Sequence, residues 1–236
     1  MPKIKYLSIL MPAYNEEASI YSILKKIASI DLGMGFKPEI VIVNDGSTDG
    51  IESEVERLIK KNPKLKVIYL KKKNGGKGTA IKKAIKIASG EYSVVQDADL
   101  EYDPQDLHRM LEVIVGWKLD VLYGSRFLGK DSSKHSYQSF YIGGKLLTKL
   151  TNLLYLQRLT DEPTCYKMFK TNLLKSIPLK CKGFEFCPEI TAKVAKKGYK
   201  IQEVPIAYHP RSIAEGKKIN WRDGITGIWT LIKFRF

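Results

Sequence analysis

Short apolar runs alternate with polar turns through the first 125 residues. Ile4 to Met11 reads as a buried strand, and Asn15 stands as a cap for a helical pattern that runs to about Ile30. Glu39 to Asn44 is a second strand, rich in Ile and Val. Asp49 and Glu52 have the spacing of a capping box for the next helix. Lys66 to Leu70 is a third strand, Asn74 to Gly78 a turn, and Thr79 to Ser89 a short helix. Tyr92 to Gln96 is a fourth strand, and Pro104 sits near the start of another helix, where its fixed φ is tolerated. Asp120 to Gly124 is a fifth strand. Strand and helix in regular alternation predict a parallel, doubly wound α/β sheet.

Beyond residue 126 the pattern loosens. Leu146, Leu147, Leu150, Leu153 and Leu154 mark an apolar helical stripe, and a helix is expected from about Pro188 to Lys197. Lys200 to Tyr208 alternates like a strand. Asn220 to Phe236 carries Trp221, Ile225, Ile228, Trp229 and Ile232 at helical spacing with Arg222, Lys233 and Arg235 beside them. Such a helix either docks its apolar face on the core or lies in a membrane interface. The expected organisation is one catalytic domain over 1–210, with a basic loop and amphipathic helix over 211–236 packed on the domain or on a membrane surface.

Ligands of doubly wound sheets bind beyond the carboxyl ends of the strands. The polar motifs fall there: Tyr14-Asn15-Glu16, Asp45, Asp97-Ala98-Asp99 and Ser125-Arg126. Two carboxylates two residues apart at a strand end share a face and can converge on one hard cation such as magnesium, with Glu101 one alternate position further on. Asp45 either accepts from a ribose or base, or shapes its turn. Gly75-Gly76-Lys77-Gly78 lacks the Walker spacing, yet it can bring backbone and the Lys77 cation close to a phosphate. Arg126 suits either a forked phosphate contact or a salt bridge. Arg211 and Lys217 flank a glycine in a basic loop able to fold over a diphosphate. Asp161, Glu162, Glu185 and Glu189 are the candidates for a general base or for orienting an acceptor.

Charge sharpens this picture. Forty Lys and Arg against 25 Asp and Glu leave a net charge of +15, which favours anionic partners. Twelve basic and no acidic residues lie between Arg57 and Gly90, but only Tyr69 interleaves them, so no stacking platform for nucleic acid is expected. Three cysteines at loose spacings suggest neither a metal nor a disulfide framework and fit a reducing compartment. The first ten residues show no signal-peptide pattern, and no run of about 18 apolar residues suggests a membrane span.

Together these motifs resemble the family 2 glycosyltransferases of GT-A fold, and among them the dolichyl- and polyprenyl-phosphate sugar synthases. Met11 to Glu16, Val43 to Asp49, Asp97 to Asp99, Gly124 to Arg126 and Arg211 to Lys218 carry the resemblance. It implies a nucleotide pocket lined by Pro12, Tyr14, Glu16, Val43 and Asp45. Asp97, Ala98 and Asp99 hold a metal (Mg2+ or Mn2+) and the diphosphate, with Glu101 where relatives often have Gln. Arg126 meets the sugar or the acceptor phosphate, and Arg211 and Lys217 bind the donor diphosphate. Asp99, Arg126 and Asp161 are then the expected catalytic set. The implied reaction is inverting transfer of a hexose from a GDP-mannose or UDP-glucose type donor to a lipid phosphate at the cytoplasmic face of a membrane. The chain itself or an anchoring subunit would provide attachment. A phosphate acceptor needs no general base; a soluble saccharide acceptor, the alternative, does. A nucleotidylyltransferase would need a glycine-rich loop after the first strand, and Met11-Pro12-Ala13-Tyr14 is not one. A non-enzymatic binding module gives no reason for carboxylates at four strand ends.

Overall fold

A computed structural model describes residues 4–129, 138–211, 218 and 220–236. Strand and helix alternate through β1 (Lys5–Ala13), α1 (Glu17–Ala28), β2 (Phe36–Asn44), α2 (Ile51–Lys61), β3 (Lys66–Lys71), α3 (Lys77–Ile87), β4 (Tyr92–Val95), α4 (Asp106–Gly116) and β5 (Val121–Ser125). Then follow α5 (Gln138–Tyr155), β6 (Lys167–Lys170), α6 (Thr171–Lys175), α7 (Phe186–Lys196), β7 (Gln202–Pro205) and α8 (Trp221–Arg235).

The strands form a single sheet in the order β3-β2-β1-β4-β6-β5-β7. All pairings are parallel except those of β6, which runs antiparallel to both β4 and β5. The fold is therefore a single α/β domain with a mostly parallel sheet. β6 lies inside a stretch without a clear strand signature, between the two strands that regular alternation makes neighbours. Its four residues are too few to show a period.

Continuous apolar runs form the central strands because helices cover parallel sheets on both faces. Residues from Leu7 to Met11 and from Glu39 to Asn44 are fully buried. Ile20, Ile23, Leu24 and Ile27 give α1 its inward face at the i, i+3, i+4, i+7 spacing. The buried carboxylate of Glu39 is satisfied by Ser8 (2.6 Å), by both the backbone and hydroxyl of Ser89, and by Lys66 (2.5 Å).

Several expected boundaries shift. Asn15 does not cap α1; the helix starts after Glu16, while Asn15 adopts φ 48° and its Oδ1 accepts from Thr48 N at 2.9 Å. Asp49 and Glu52 form no capping box. Asp49 instead accepts from Glu17 N at 2.8 Å, and Glu52 pairs with Lys71 at 2.9 Å. These side chains tie the β1 loop to the β2 loop, a partner that local spacing cannot reveal. α3 begins at Lys77, and α7 at Phe186, which leaves Pro188 in the first turn, where no backbone donor is missed. The strand expected over 200–208 keeps only four residues, with Tyr208 in an isolated antiparallel bridge to Tyr102.

α8 does carry a capping box, between Asn220 and Asp223. It packs on α5 and α7 through a small cluster of Leu147, Tyr155, Ala192 and Leu231, and the Tyr155 hydroxyl donates to Leu231 O at 2.6 Å. Its other face points away from the protein. Trp221, Ile225, Trp229, Ile232 and Phe236 are exposed, Trp229 by 63%, and so are Ile142, Leu146 and Leu153 on α5. The two apolar stripes are thus split: Leu147 and Leu231 face inward, and most of the remainder faces out.

Candidate active site

One cavity of about 680 Å3 opens at the carboxyl edge of the sheet and gathers most of the expected residues. Pro12 comes from the end of β1, and Tyr14 and Glu16 from the loop after it. Asp45 follows β2, Lys77 opens α3, and Asp97, Ala98, Asp99 and Glu101 follow β4. Arg126 follows β5, and Arg211 lies after β7. Two of the expected residues do not line this cavity. Val43 is fully buried within β2 as part of the main core. Asp161 is also fully buried and does not line the cavity; it stands behind Arg126. Lys217 lies outside the described residues.

Asp45 anchors a loop. Its two oxygens accept from Gly75 N (3.0 Å) and Gly76 N (2.7 Å), and Lys72 pairs with it. Gly76 has φ 92°, and an added Cβ would sit 2.4 Å from Lys182 O, so only glycine closes this turn. Lys77 then reaches Asp97 at 2.6 Å. Burial acts against the Lys77 ammonium, but the Asp97 carboxylate outweighs it and holds the lysine protonated well above its ordinary range.

The second carboxylate meets a different cation. Arg211 Nη2 donates to Asp99 Oδ2 at 2.7 Å, and its Nη1 reaches Glu16 Oε2 at 3.2 Å. The Arg211 backbone N–H donates to Glu101 Oε1 at 2.8 Å. Lys218 donates to Glu16 Oε1 at 2.6 Å and also bonds the Tyr14 carbonyl. Burial, then the charge of nearby Asp97, push the Asp99 carboxyl up to about 7. Acids this close carry more negative charge than their own surroundings favour, and their hard oxygens suit Mg2+ or Mn2+. Among the described residues no group of three or more His, Cys, Asp or Glu is arranged to hold a metal ion, so Asp97, Asp99 and Glu101 do not form the expected three-carboxylate set; Glu101 accepts from the Arg211 backbone N–H. Arg211 and Lys77 neutralise the pair instead.

Arg126 is gripped from behind. Its Nε and Nη2 each donate to an Asp161 oxygen at 2.7 Å, and its backbone N–H donates to the same carboxylate at 3.0 Å. Its guanidinium lies 5.0 Å from the Tyr208 ring. Glu203 on β7 supports this fork. One of its oxygens accepts from Thr160 N (2.7 Å) and Oγ1 (2.8 Å), the other from Asp161 N (3.0 Å). The alternation over 200–208 contained Glu203 but nothing that tied it to Asp161.

The other acidic candidates have structural partners. Glu162 is fully buried beside Lys167 and accepts from Thr191. Glu185 accepts from Lys182 N and Gly183 N, and Glu189 from Lys180 N and Cys181 N.

A family model described as glycosyl transferase family 2 matches residues 8–177. The chain belongs to this family. Glycosyltransferase Agl6 of low-salt glycan biosynthesis in Haloferax volcanii, a hexosyltransferase, is 27% identical over 97% of the chain and 52% of its own length. The dolichol-phosphate mannosyltransferase of Pyrococcus furiosus is 28% identical over 89% of the chain and 58% of its own length. The chain thus spans little more than half of these two relatives. Among solved structures, glucosyl-3-phosphoglycerate synthase of Mycobacterium tuberculosis with uridine diphosphate superposes with a TM-score of 0.72, at 18% identity, over 98% of the chain and 80% of its own length. At that identity the likeness shows the fold, which is GT-A. The same enzyme has been solved with Mn2+ and with Mg2+ beside uridine diphosphate.

Proposed function

We propose that this family 2 glycosyltransferase moves a hexose from a nucleoside-diphosphate donor to a polyprenyl phosphate, with a divalent cation, at a membrane surface. The observation that carries the reading is the state of the cavity's acids. Glu16, Asp45, Asp97, Asp99, Glu101 and Asp223 are each held by a cation or a backbone N–H. A hydroxyl acceptor needs a carboxylate to take its proton. A phosphate acceptor arrives ionised and needs cations near its oxygens.

Each group then has a task. Asp97 and Asp99 would hold the metal, which supplies neutralisation of the departing diphosphate. Arg211 stands beside this pair and Lys218 beside Glu16, where they stabilise the same developing charge. Asp45 holds the Gly75-Gly76 turn and so places Lys77. Arg126 orients the acceptor phosphate, and Asp161 acts by fixing Arg126. A single in-line displacement inverts the anomeric centre.

The outward faces of α5 and α8 support attachment to a bilayer. Trp-bearing apolar faces flanked by Lys149, Arg222 and Lys233 have the composition of interfacial helices. No helix among the described residues is long and apolar enough to cross a membrane. We propose that α8 brings the catalytic part to that surface through its exposed apolar face.

The test is a transfer assay with GDP-mannose and UDP-glucose, Mg2+ or Mn2+, and a short polyprenyl phosphate. Metal-dependent transfer to the lipid, lost in Asp99→Asn and Arg126→Ala, is the expected result. Donor turnover only with a soluble sugar acceptor would falsify the lipid-phosphate assignment.

A further inference from the structure

Two glycines in the cavity wall have nothing packed against them among the described residues. Gly143 lies inside α5 and Gly224 inside α8, both on ordinary helical backbone. Among the described residues, a Cβ added at either meets nothing within 4 Å. Glycine weakens a helix interior relative to alanine, so both positions sacrifice helix stability with no packing gain. Their neighbours differ. A Cβ at Gly144 would touch Pro163 at 3.4 Å, and one at Gly227 would press on Leu147 at 3.3 Å. Close packing thus accounts for Gly144 and Gly227, which let the chain come together at the floor. Gly143 and Gly224 face the open space above it.

That space belongs to the cavity that holds Asp97 and Asp99, which continues between the N-terminal halves of α5 and α8. Trp221 belongs both to the cavity wall and to the exposed apolar stripe, so the slot and the stripe are continuous. The inner end is cationic. Arg126 lies 5.8 Å and Lys145 3.7 Å from the Phe127 ring, which meets Tyr141 of α5 edge-on at 5.6 Å. An apolar slot that starts at the exposed stripe and ends at Arg126, with Lys145 against the neighbouring Phe127 ring, fits a linear hydrocarbon chain ending in a phosphate.

We propose that Gly143 and Gly224 hold open a slot that takes the first isoprene units of the acceptor, and so select for a prenyl chain on the phosphate. This rests on the polyprenyl-phosphate reading above and adds where its tail lies. The test measures binding to the full chain by titration calorimetry, with geranylgeranyl phosphate and isopentenyl phosphate as probes. The wild type binds the longer probe at least tenfold more tightly. Gly143→Leu and Gly224→Leu lose that preference, keep the affinity for isopentenyl phosphate and for a nucleoside diphosphate with Mn2+, and melt no lower than the wild type. Vesicle binding through the outer stripe stays unchanged, which separates the slot from general partitioning. A wild type with no chain-length preference, or leucine variants that retain it, overturns the proposal. A wild type that prefers the longer probe yet never glycosylates it leaves the slot in place and removes the acceptor assignment instead.

Discussion

Asp161 holds Arg126 through both carboxylate oxygens, each 2.7 Å from a guanidinium nitrogen, with the acid fully buried and the arginine at the cavity wall. The acid therefore serves the arginine. Asp161→Asn leaves a desolvated guanidinium with half its partner, and loss of one member of a buried pair typically costs about 3–5 kcal/mol. The variant is expected to melt well below the wild type and to need more acceptor phosphate for half-maximal rate. Combining it with Arg126→Ala recovers part of the lost stability, because the unpaired charge is gone. A single Asp161→Asn protein that melts like the wild type refutes this coupling.

Arg211 spans Glu16 and Asp99 and so covers one of the two acids proposed to hold the cation. Its guanidinium and a divalent ion compete for the same oxygens. Arg211→Ala is expected to bind Mn2+ several-fold more tightly in the absence of nucleotide, as read by the free-Mn2+ signal in electron paramagnetic resonance. It also loses sugar transfer, by about 100-fold if Arg211 stabilises the leaving diphosphate as an oxyanion donor does. Unchanged or weaker Mn2+ binding rules the competition out.

Glu39 gives the fold an acid limit. Burial alone would raise its pKa, but Lys66, Ser8 and Ser89 outweigh it and bring the carboxyl down to about 2 from 4.5. A depressed folded pKa contributes stability that is fully present above the unfolded value and is lost as pH falls through the folded one. The shift corresponds to about 3 kcal/mol. Denaturant midpoints should therefore drop between pH 4.5 and 2, and the drop should shrink in Glu39→Gln. Parallel pH profiles for the two proteins would count against Glu39 as the cause.

The exposed faces of α5 and α8 predict how the chain finds a membrane. Ile225→Glu with Trp229→Glu removes two outward apolar groups and leaves the inward cluster intact. Exposed substitutions of this kind usually change stability by about 0.5 kcal/mol or less. Sedimentation with vesicles containing anionic lipid should be lost while the melting temperature holds. Undiminished sedimentation shows that charge alone suffices.

The sequence pattern carried the β1 to β5 alternation because β1, β2, β4 and β5 are largely buried on both faces and read as apolar runs, and edge strand β3 keeps Val67, Ile68 and Leu70. It carried the acid pair, Arg126 and Arg211 because each follows a strand or a basic turn. It did not carry relations across the sheet. Asn15 and Asp49 look like local caps, and in the folded chain they bridge two loops some 32 residues apart. Glu203 supports Asp161 from 42 residues away, and neither position shows that in its own neighbourhood. The helical stripes were visible, but which half of each faces outward is settled only by the packing of Leu147 against Gly227 and of Tyr155 against Leu231.

The antiparallel strand at the centre of the sheet also constrains the order in which the chain can assemble. β1 to β4 need only each other, so this wing can close as soon as residue 95 is available. β5 pairs only with β6 and β7, both of which come later in the chain. During synthesis it must wait some 45 residues for its first neighbour, and Arg126, which follows β5, waits with it. The strand ends that carry Asp45, Asp97 and Asp99 are thus built early and the one that carries Arg126 late, with β6 as the seam between the two wings.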